Sequence, residues 1–418
     1  MVLPPHPPPP SLTTTVAEYK ELEASLLASP PISPAERRAG CSYLNSGAFG
    51  EPPGGCLELK TELMRLCYEQ PMVYHRDIVP LLMREARGAA CDLIGIPESL
   101  RSTFSFQPVT SAIFTVLLSF AWSPSDVVVT TDVVYHSVRD ALMYLEAEKG
   151  IKWKVVKTAF GSTCEERGEN LNSFLTSLVA SGESVKLVVF DAVSSKPALR
   201  FPVPTICSHC VALGIPTLVD AAHVPGVGLD PSETFDPCST FWVCTFHKWL
   251  GCPRGASGGM WVNLAELREE YPEVDTSRLV EEGRRIEGAY VNTKPGILTD
   301  GMWQGVYDES TREYENIIVL PFCIKAKEKR KGLDAWREAR REGEKAYYGE
   351  VSGLGGAEMD TWRVDEDVPV ACLTLPEQLK GAGGWKEVKK ELVRLLWDEF
   401  SIGVESWSEA IATYHPPL

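Results

Sequence analysis

The sequence predicts an α/β protein: a large domain on a mostly parallel, doubly wound sheet, followed by a smaller α+β domain. Three observations carry that expectation. Between about residues 100 and 262, short Val- and Ile-rich runs alternate with stretches of helical apolar spacing, the pattern of buried strands joined by crossover helices. Two of those runs close on a polar residue, Asp220 and Lys248, with Gly or Pro soon after, as strands do at the rim of an open sheet. At 418 residues, the chain can also hold more than one core.

In chain order, 1–10 is mostly proline, and 1–15 is expected to be an extended arm without the apolar centre of a signal peptide. Helical spacing covers 16–28. The Gly- and Pro-rich stretch 41–53 predicts an irregular backbone, and helical patterns return over 55–70 and 77–94. Strands are expected at 103–106, 126–130, 153–158, 185–190, 217–220, 240–245 and 259–262. Helices are expected between them at 110–121, 136–149, 170–181 and 204–213. The large domain is expected to span 16–295. Helical patterns at 309–331 and 335–348, a strand at 368–375 and a helix at 385–399 then make up the smaller domain, 296–418. The sequence shows no internal repeat.

Composition narrows the partners. Hydrophobic residues make up 44% and charged residues 23%, as in ordinary globular proteins. The net charge of −16, without a basic stripe, argues against nucleic acid and anionic membranes. No stretch approaches the roughly 20 apolar residues of a bilayer span. Twelve cysteines are scattered, with Cys91, Cys244, Cys323 and Cys372 inside apolar elements, which suits reduced thiols in a cytoplasmic protein. Cys207 and Cys210 have CxxC spacing around His209 but no second ligand pair, so no metal site is expected there.

The chemistry concentrates where the strands end. Asp220 closes Pro216-Thr217-Leu218-Val219 and precedes Ala221-Ala222-His223. Lys248 follows 28 positions later, in Thr245-Phe246-His247-Lys248-Trp249-Leu250-Gly251. Ligands of open α/β sheets sit beyond the carboxyl ends of the strands. A lysine and a carboxylate together there suit pyridoxal phosphate. The amine forms a Schiff base with its aldehyde, and the carboxylate keeps the pyridine nitrogen protonated, making the ring an electron sink. Thr110 and Ser111 open a helix just after a strand, where free amides and the positive helix end make a phosphate cup. Residues 190–195 bring small polar groups to the same rim, and His223 and His247 flank strand ends.

Together with Tyr43-Leu44-Asn45-Ser46-Gly47-Ala48-Phe49-Gly50 and Trp303-Gln304-Gly305-Val306-Tyr307-Asp308, these segments resemble the class V aminotransferase family of fold-type I pyridoxal phosphate enzymes, over about 40–375. The resemblance implies Lys248 as the Schiff-base lysine, Asp220 on the pyridine nitrogen and His223 on the ring oxygen. It places Thr110, Ser111, Ala112, Thr245 and His247 around the cofactor, with phosphate contacts from Thr110, Ser111 and His247. Asn45, Ser46 and His136 would lie beside the substrate. A homodimer is implied, with the Gly305 segment approaching the partner's phosphate. Three departures stand out. Val133 occupies the position of the usual ring-stacking His, leaving Tyr135 or His136 to cover the ring. Val306 replaces a Thr, and the C-terminal Arg-x-Ser that grips the substrate carboxylate is not recognisable in 401–418. Arg76 and Arg254 are the remaining candidates for that grip.

The cofactor fixes a class of chemistry, not one reaction. A lysine released beside Cα acts as general base, and racemisation, transamination or loss of a group from Cβ can follow. Desulfuration needs a nucleophilic thiol on a mobile loop after the lysine. Cys252 lies in a Gly-Cys-Pro turn, and Cys323 and Cys372 lie in regular patterns. The runs at 43–50, 133–139 and 245–255 are most similar to the C–S lyases of fungal ergothioneine biosynthesis. That similarity implies β-elimination of an amino-acid sulfoxide, hercynylcysteine sulfoxide, to a sulfenic acid, pyruvate and ammonia. Tyr135 is the candidate acid for the leaving group. Tyr74, Trp303 and Tyr307 are candidate aromatic faces for its trimethylammonium group. The alternatives are an isopenicillin N epimerase-like enzyme, a cysteine desulfurase-like enzyme, and a pyridoxal-fold binding subunit without activity.

Overall fold

The computed structural model describes residues 12–29, 42–43, 47–159, 162–195, 198–255, 258–263, 313–330, 361–362, 372–373 and 402–403. The strands come in the order β1 (Ser42–Tyr43), β2 (Phe104–Ser105), β3 (Asp126–Thr131), β4 (Lys152–Val156), β5 (Ser184–Asp191), β6 (Thr217–Ala221), β7 (Phe241–Thr245) and β8 (Gly258–Val262). The seven from β2 onward form one sheet, ordered β2-β8-β7-β6-β5-β3-β4. β3 through β7 pair in parallel. β8 is antiparallel to β7, and β2 is antiparallel to β8, so β8 alone runs against the other six. Strand order reverses between β3 and β5, the kind of switch point where open α/β sheets bind ligands.

Helices α1 (Leu12–Ala28), α2 (Cys56–Glu69), α3 (Pro71–Val73) and α4 (Val79–Ile94) precede the sheet, with a π-helical turn over Tyr74–Ile78 leading into α4. α5 (Val109–Ser119), α6 (His136–Lys149), α7 (Cys164–Ala180) and α8 (Val203–Ala212) make the crossovers, and α9 (Pro231–Thr234) is one turn. Side chains alternate faces along a strand, and the core follows that rule. Val127, Val129, Val188, Phe190, Val219, Trp242 and Cys244 pack on the side of α4, α7 and α8. Val128, Leu187, Val189, Leu218, Phe241 and Val243 pack on the side of α5 and α6. Both faces are therefore buried, which is why these strands read as unbroken apolar runs rather than alternating ones.

Every expected strand between 103 and 262 is present to within two residues at either end. α7 begins at Cys164, ahead of the expected 170. The Thr163 hydroxyl accepts the Glu166 N–H at 3.2 Å, and the Glu166 carboxylate accepts the Thr163 N–H at 2.7 Å, a capping box that fixes the start. The helix expected over 309–331 is two helices among the described residues, α10 (Glu315–Ile318) and α11 (Leu320–Arg330). Pro321 has no N–H to offer the Ile317 carbonyl, so the ladder breaks there. α11 packs on α4 and α1.

Three further short strands, β9 (Thr361–Trp362), β10 (Cys372–Leu373) and β11 (Ile402–Gly403), lie beyond. β10 falls inside the expected strand and pairs antiparallel with β9, while β11 pairs in parallel with β1. α1 starts at Leu12, inside the segment expected to be an arm. The rest of that arm, the helices at 335–348 and 385–399 and most of the expected smaller domain lie outside the described residues. No helix among the described residues is long and apolar enough to cross a membrane.

Candidate active site

The candidate site gathers at the carboxyl ends of the parallel strands, on the α5/α6 side. Asp191 and Asp220 are direct partners in the β5–β6 register. Alternation puts them on the same face as Leu187, Val189 and Leu218. Thr245 shares that face through Phe241 and Val243. β2 runs in the same direction as β7, so the start of α5, with Thr110 and Ser111, opens on the same rim. Tyr135 opens α6 there, as its N-cap residue.

Lys248 lies just past β7, on a loop clamped from several sides. Phe246 is buried, its ring 6.3 Å from that of Phe106. The Cys252 N–H donates to the Phe246 carbonyl at 2.9 Å, and the Gly251 N–H donates to the Lys248 carbonyl at 3.0 Å. From the N-terminal segment, the Gly50 N–H donates to the His247 carbonyl at 2.8 Å. A Cβ on Gly50 would land on the Lys248 carbonyl oxygen, so only glycine permits this approach. Gly251 has φ +75° and sits against the Glu51 carbonyl, a backbone conformation that disfavours any side chain. Gly50→Ala should therefore displace the Lys248 loop, costing about 1–3 kcal/mol as overpacking does. Chemical denaturation checks the stability loss, and retention of pyridoxal phosphate after gel filtration checks the displacement. Full retention would show that the close approach is dispensable.

The same loop is held on its other side by Lys327, whose Nζ donates to the Trp249 carbonyl. Burial pushes the Lys327 ammonium down to about 8, from an ordinary value near 10.5. Between those values the unfolded chain binds the proton and the folded one does not, so this residue makes stability rise with pH. Lys327→Met should flatten the stability curve between about pH 8 and 10.5. Equal pH slopes for the two proteins in urea titrations would contradict the assignment.

Around the amine, Lys248 Nζ lies 2.8 Å from His223 Nε2. The Trp249 indole N–H donates to His223 Nδ1 at 3.4 Å, which fixes the ring between the two. Lys248 Nζ also stands 5.8 Å from the centre of the Tyr135 ring, within cation–π range. The Tyr135 and His136 rings are 4.1 Å apart, with Tyr135 half-buried and His136 exposed. Tyr135 is thus the one that faces the amine.

Asp220 is 3% exposed, and its Oδ1 accepts the Ala222 N–H at 2.9 Å. Burial pushes its carboxyl up, opposed by that N–H and by the charge of Lys248. Asp191, also 3% exposed, is pushed up well beyond the carboxylate range by burial and by the charge of Asp220, with Lys248 opposing.

Among the residues expected to hold the phosphate, Thr245 Oγ1 lies 3.0 Å from His247 Nδ1. Thr110 is exposed and Ser111 half-buried on the first turn of α5, which no side chain caps. The amides of that turn have no acceptor inside the helix and remain for a ligand. Ala112 differs: it is fully buried, and its amide already donates to the Pro108 carbonyl at 2.9 Å.

Asn45, Ser46, Trp303, Gly305, Val306 and Tyr307 lie outside the described residues. Tyr74, expected as a possible aromatic face of the site, is instead a core residue. It is completely buried, and its hydroxyl donates to Glu315 at 2.9 Å. Arg76 is exposed and paired with Asp77 at 3.1 Å. Arg254 lies over the Phe49 ring at 4.7 Å, and Phe49 lies 6.5 Å from the His247 ring. That puts Arg254 at the mouth of the site, so it is the better placed of the two arginines. Cys207 and Cys210 lie on the buried face of α8, whereas His209 on the same helix turns away to Thr176 at 3.0 Å. Cys252 and Cys323 are buried, and burial pushes the Cys252 thiol up.

Sequence reasoning placed 190–195 at this rim but gave Asp191 no role of its own. Its signal was available: an aspartate closing a Val-rich strand in the position Asp220 occupies on the next one. A buried carboxylate and a half-buried amine on neighbouring strand ends fit a pyridoxal ring between them. The buried Asp191 Oδ2 and Thr130 Oγ1 have no hydrogen-bond partner and leave polar capacity on the same face.

No family profile matches the chain. Among curated proteins it is 28% identical over 215 residues to an L-cysteine desulfhydrase-like protein, lolT1 of Epichloe uncinata, covering 50% of this chain and 46% of that one. It is 27% identical over 240 residues to isopenicillin N epimerase of Streptomyces clavuligerus, covering 57% and 56%. It is 23% identical over 217 residues to hercynylcysteine sulfoxide lyase of Schizosaccharomyces pombe, covering 50% and 51%. The matched region thus spans about half the length of these relatives. Among solved structures, the cystine C–S lyase C-DES in complex with its product cysteine persulfide superposes with a TM-score of 0.66 at 17% identity, over 90% of this chain and 92% of that one. The chain therefore has the α/β fold of the fold-type I pyridoxal phosphate enzymes, shared with that C–S lyase.

Proposed function

We propose that the protein is a pyridoxal phosphate-dependent carbon–sulfur lyase acting on a cysteine-derived amino acid. The observation that carries this reading is the buried Asp220 carboxylate on β6 beside the Lys248 amine, with His223 2.8 Å from that amine. The relatives named above include a desulfhydrase-like protein and a sulfoxide lyase, which supports cleavage at sulfur over other outcomes. Bound pyridoxal phosphate supplies an electron sink for the pair left on Cα. Lys248 would hold that group by its aldehyde carbon, and its Nζ would take the Cα proton of the substrate. Asp220 holds the positive pyridine nitrogen. Thr110, Ser111, Thr245 and His247 orient the phosphate. Tyr135, whose ring centre stands 5.8 Å from the Lys248 amine, would give its phenolic proton to the departing sulfur. Arg254, at the mouth, takes the substrate carboxylate.

The finer reading is hercynylcysteine sulfoxide as substrate. The Cβ–S bond breaks with its electron pair going to sulfur, and one water is consumed overall. The products are the sulfenic acid, pyruvate and ammonium. Pyruvate release from hercynylcysteine sulfoxide, run beside L-cysteine as competitor substrate, tests it. Pyruvate from cysteine alone would move the assignment to a desulfhydrase. The epimerase relative sustains one other reading, under which either substrate would return inverted at Cα without pyruvate.

Tyr135→Phe keeps the aromatic face and removes the proton. If the phenol serves the leaving group, elimination should slow by roughly 10²-fold, the low end for a positioned general acid. An unchanged rate in stopped-flow measurements would reduce Tyr135 to ring packing.

A further inference from the structure

Two carboxyls, not one, face the place where the cationic pyridine nitrogen would sit. Asp191 and Asp220 end neighbouring parallel strands as direct register partners, on the same face of the sheet. Each is 3% exposed, so neither charge is relieved by water. Each carboxylate is held by one backbone N–H, Asp220 Oδ1 by that of Ala222 at 2.9 Å and Asp191 by its own. Asp191 Oδ2 has no hydrogen-bond partner.

The charged groups that bear on the pair are few. Lys248 is the cation acting on both, and Asp220 is the anion acting on Asp191. Asp132, at the end of β3, turns away to accept the Thr158 N–H at 2.9 Å. Lys248 can balance one carboxylate and not two, and two like charges this close in a dry site do not both ionise.

We propose that Asp191 is a positioning residue that holds one proton as a neutral acid and leaves the site's single negative charge on Asp220. A backbone N–H bears on each carboxylate, so the orphaned oxygen decides which partner is neutral: Asp191 Oδ2 is shut away from water with no donor to hold a charge there. Burial raises both groups and the charge of Asp220 raises Asp191 further, in the same sense. The consequence rests on the pyridoxal phosphate reading. A site with one net negative charge matches one pyridinium, and Asp191 prevents the excess charge that would draw a second cation.

The test is infrared spectroscopy of the full chain in heavy water at neutral pH, before any pyridoxal phosphate is added, read at the carbonyl stretch of an un-ionised carboxylic acid. The expected result is a band in the wild-type protein that shifts in frequency in Asp191→Glu, stays in place in Asp220→Glu and is lost in Asp191→Asn. Absence of the band from wild type overturns the proposal, as does a band that survives Asp191→Asn. Should Asp191→Asn fail to fold, the two glutamate variants decide: a band that moves with Asp191→Glu supports the assignment, and one that moves with Asp220→Glu places the proton on Asp220 and overturns it. The measurement needs neither cofactor nor substrate. A protein that shows the band but releases no pyruvate would therefore sink the lyase reading and leave the carboxyl pair standing.

Discussion

Lys248→Ala should release pyruvate at least about 10³-fold more slowly than wild type, within the range that removal of a positioned base gives. The residue is asked for two things, covalent hold on the aldehyde and acceptance of the Cα proton. His223, 2.8 Å away, could take over part of the second role but none of the first. The variant should also lose cofactor on gel filtration and no longer be bleached by borohydride. A small primary amine in the buffer should restore part of the rate, because the cavity left behind lies where the ammonium was. Activity within tenfold of wild type would remove Lys248 from the chemistry, and with it the foundation of the lyase proposal.

Asp220→Ala should lower kcat/KM by roughly 10²- to 10⁴-fold. That is the factor corresponding to the about 3–5 kcal/mol lost when one member of a buried ion pair is removed. The effect should fall mainly on kcat, since the pyridine proton matters most when negative charge builds on Cα. The Ala222 N–H would lose its acceptor, so Asp220→Asn is the necessary companion. Asparagine keeps an acceptor for that amide but cannot hold a positive ring nitrogen. Equal losses in both variants locate the effect in the charge. Near-normal activity in Asp220→Asn would show that the ring nitrogen works unprotonated here.

Most of the sheet was legible because its strands are buried on both faces. Runs such as Val127-Val128-Val129 and Leu187-Val188-Val189-Phe190 leave no room for a solvent-facing residue and cannot be taken for surface. The site was legible where chemistry and position coincide, at Asp220, His223 and Lys248. Less was legible where a residue looks the same in two contexts. Tyr74 lies in Pro71-Met72-Val73-Tyr74-His75-Arg76, and nothing in those neighbours announces that Glu315 will claim its hydroxyl from a distant helix. Asp191, placed at the rim with 190–195, received no role for the opposite reason. One aspartate at a strand end is ordinary, and only the β5–β6 register turns it into half of a pair. The start of α7 was readable from Thr163 and Glu166, and the break before α11 from Pro321. Both are local signals that apolar periodicity overrides.

The bond from Gly50 to the residue preceding Lys248 has a temporal meaning. A ribosome delivers the N-terminal half of this contact long before β7 exists, so the turn at 47–50 must wait while the whole parallel sheet is synthesised and ordered. Contacts of such large sequence separation form late and slowly. Capture of pyridoxal phosphate should therefore be among the last events of folding. The appearance of its visible absorbance in a refolding experiment would then time the closure of the N-terminal segment rather than assembly of the sheet.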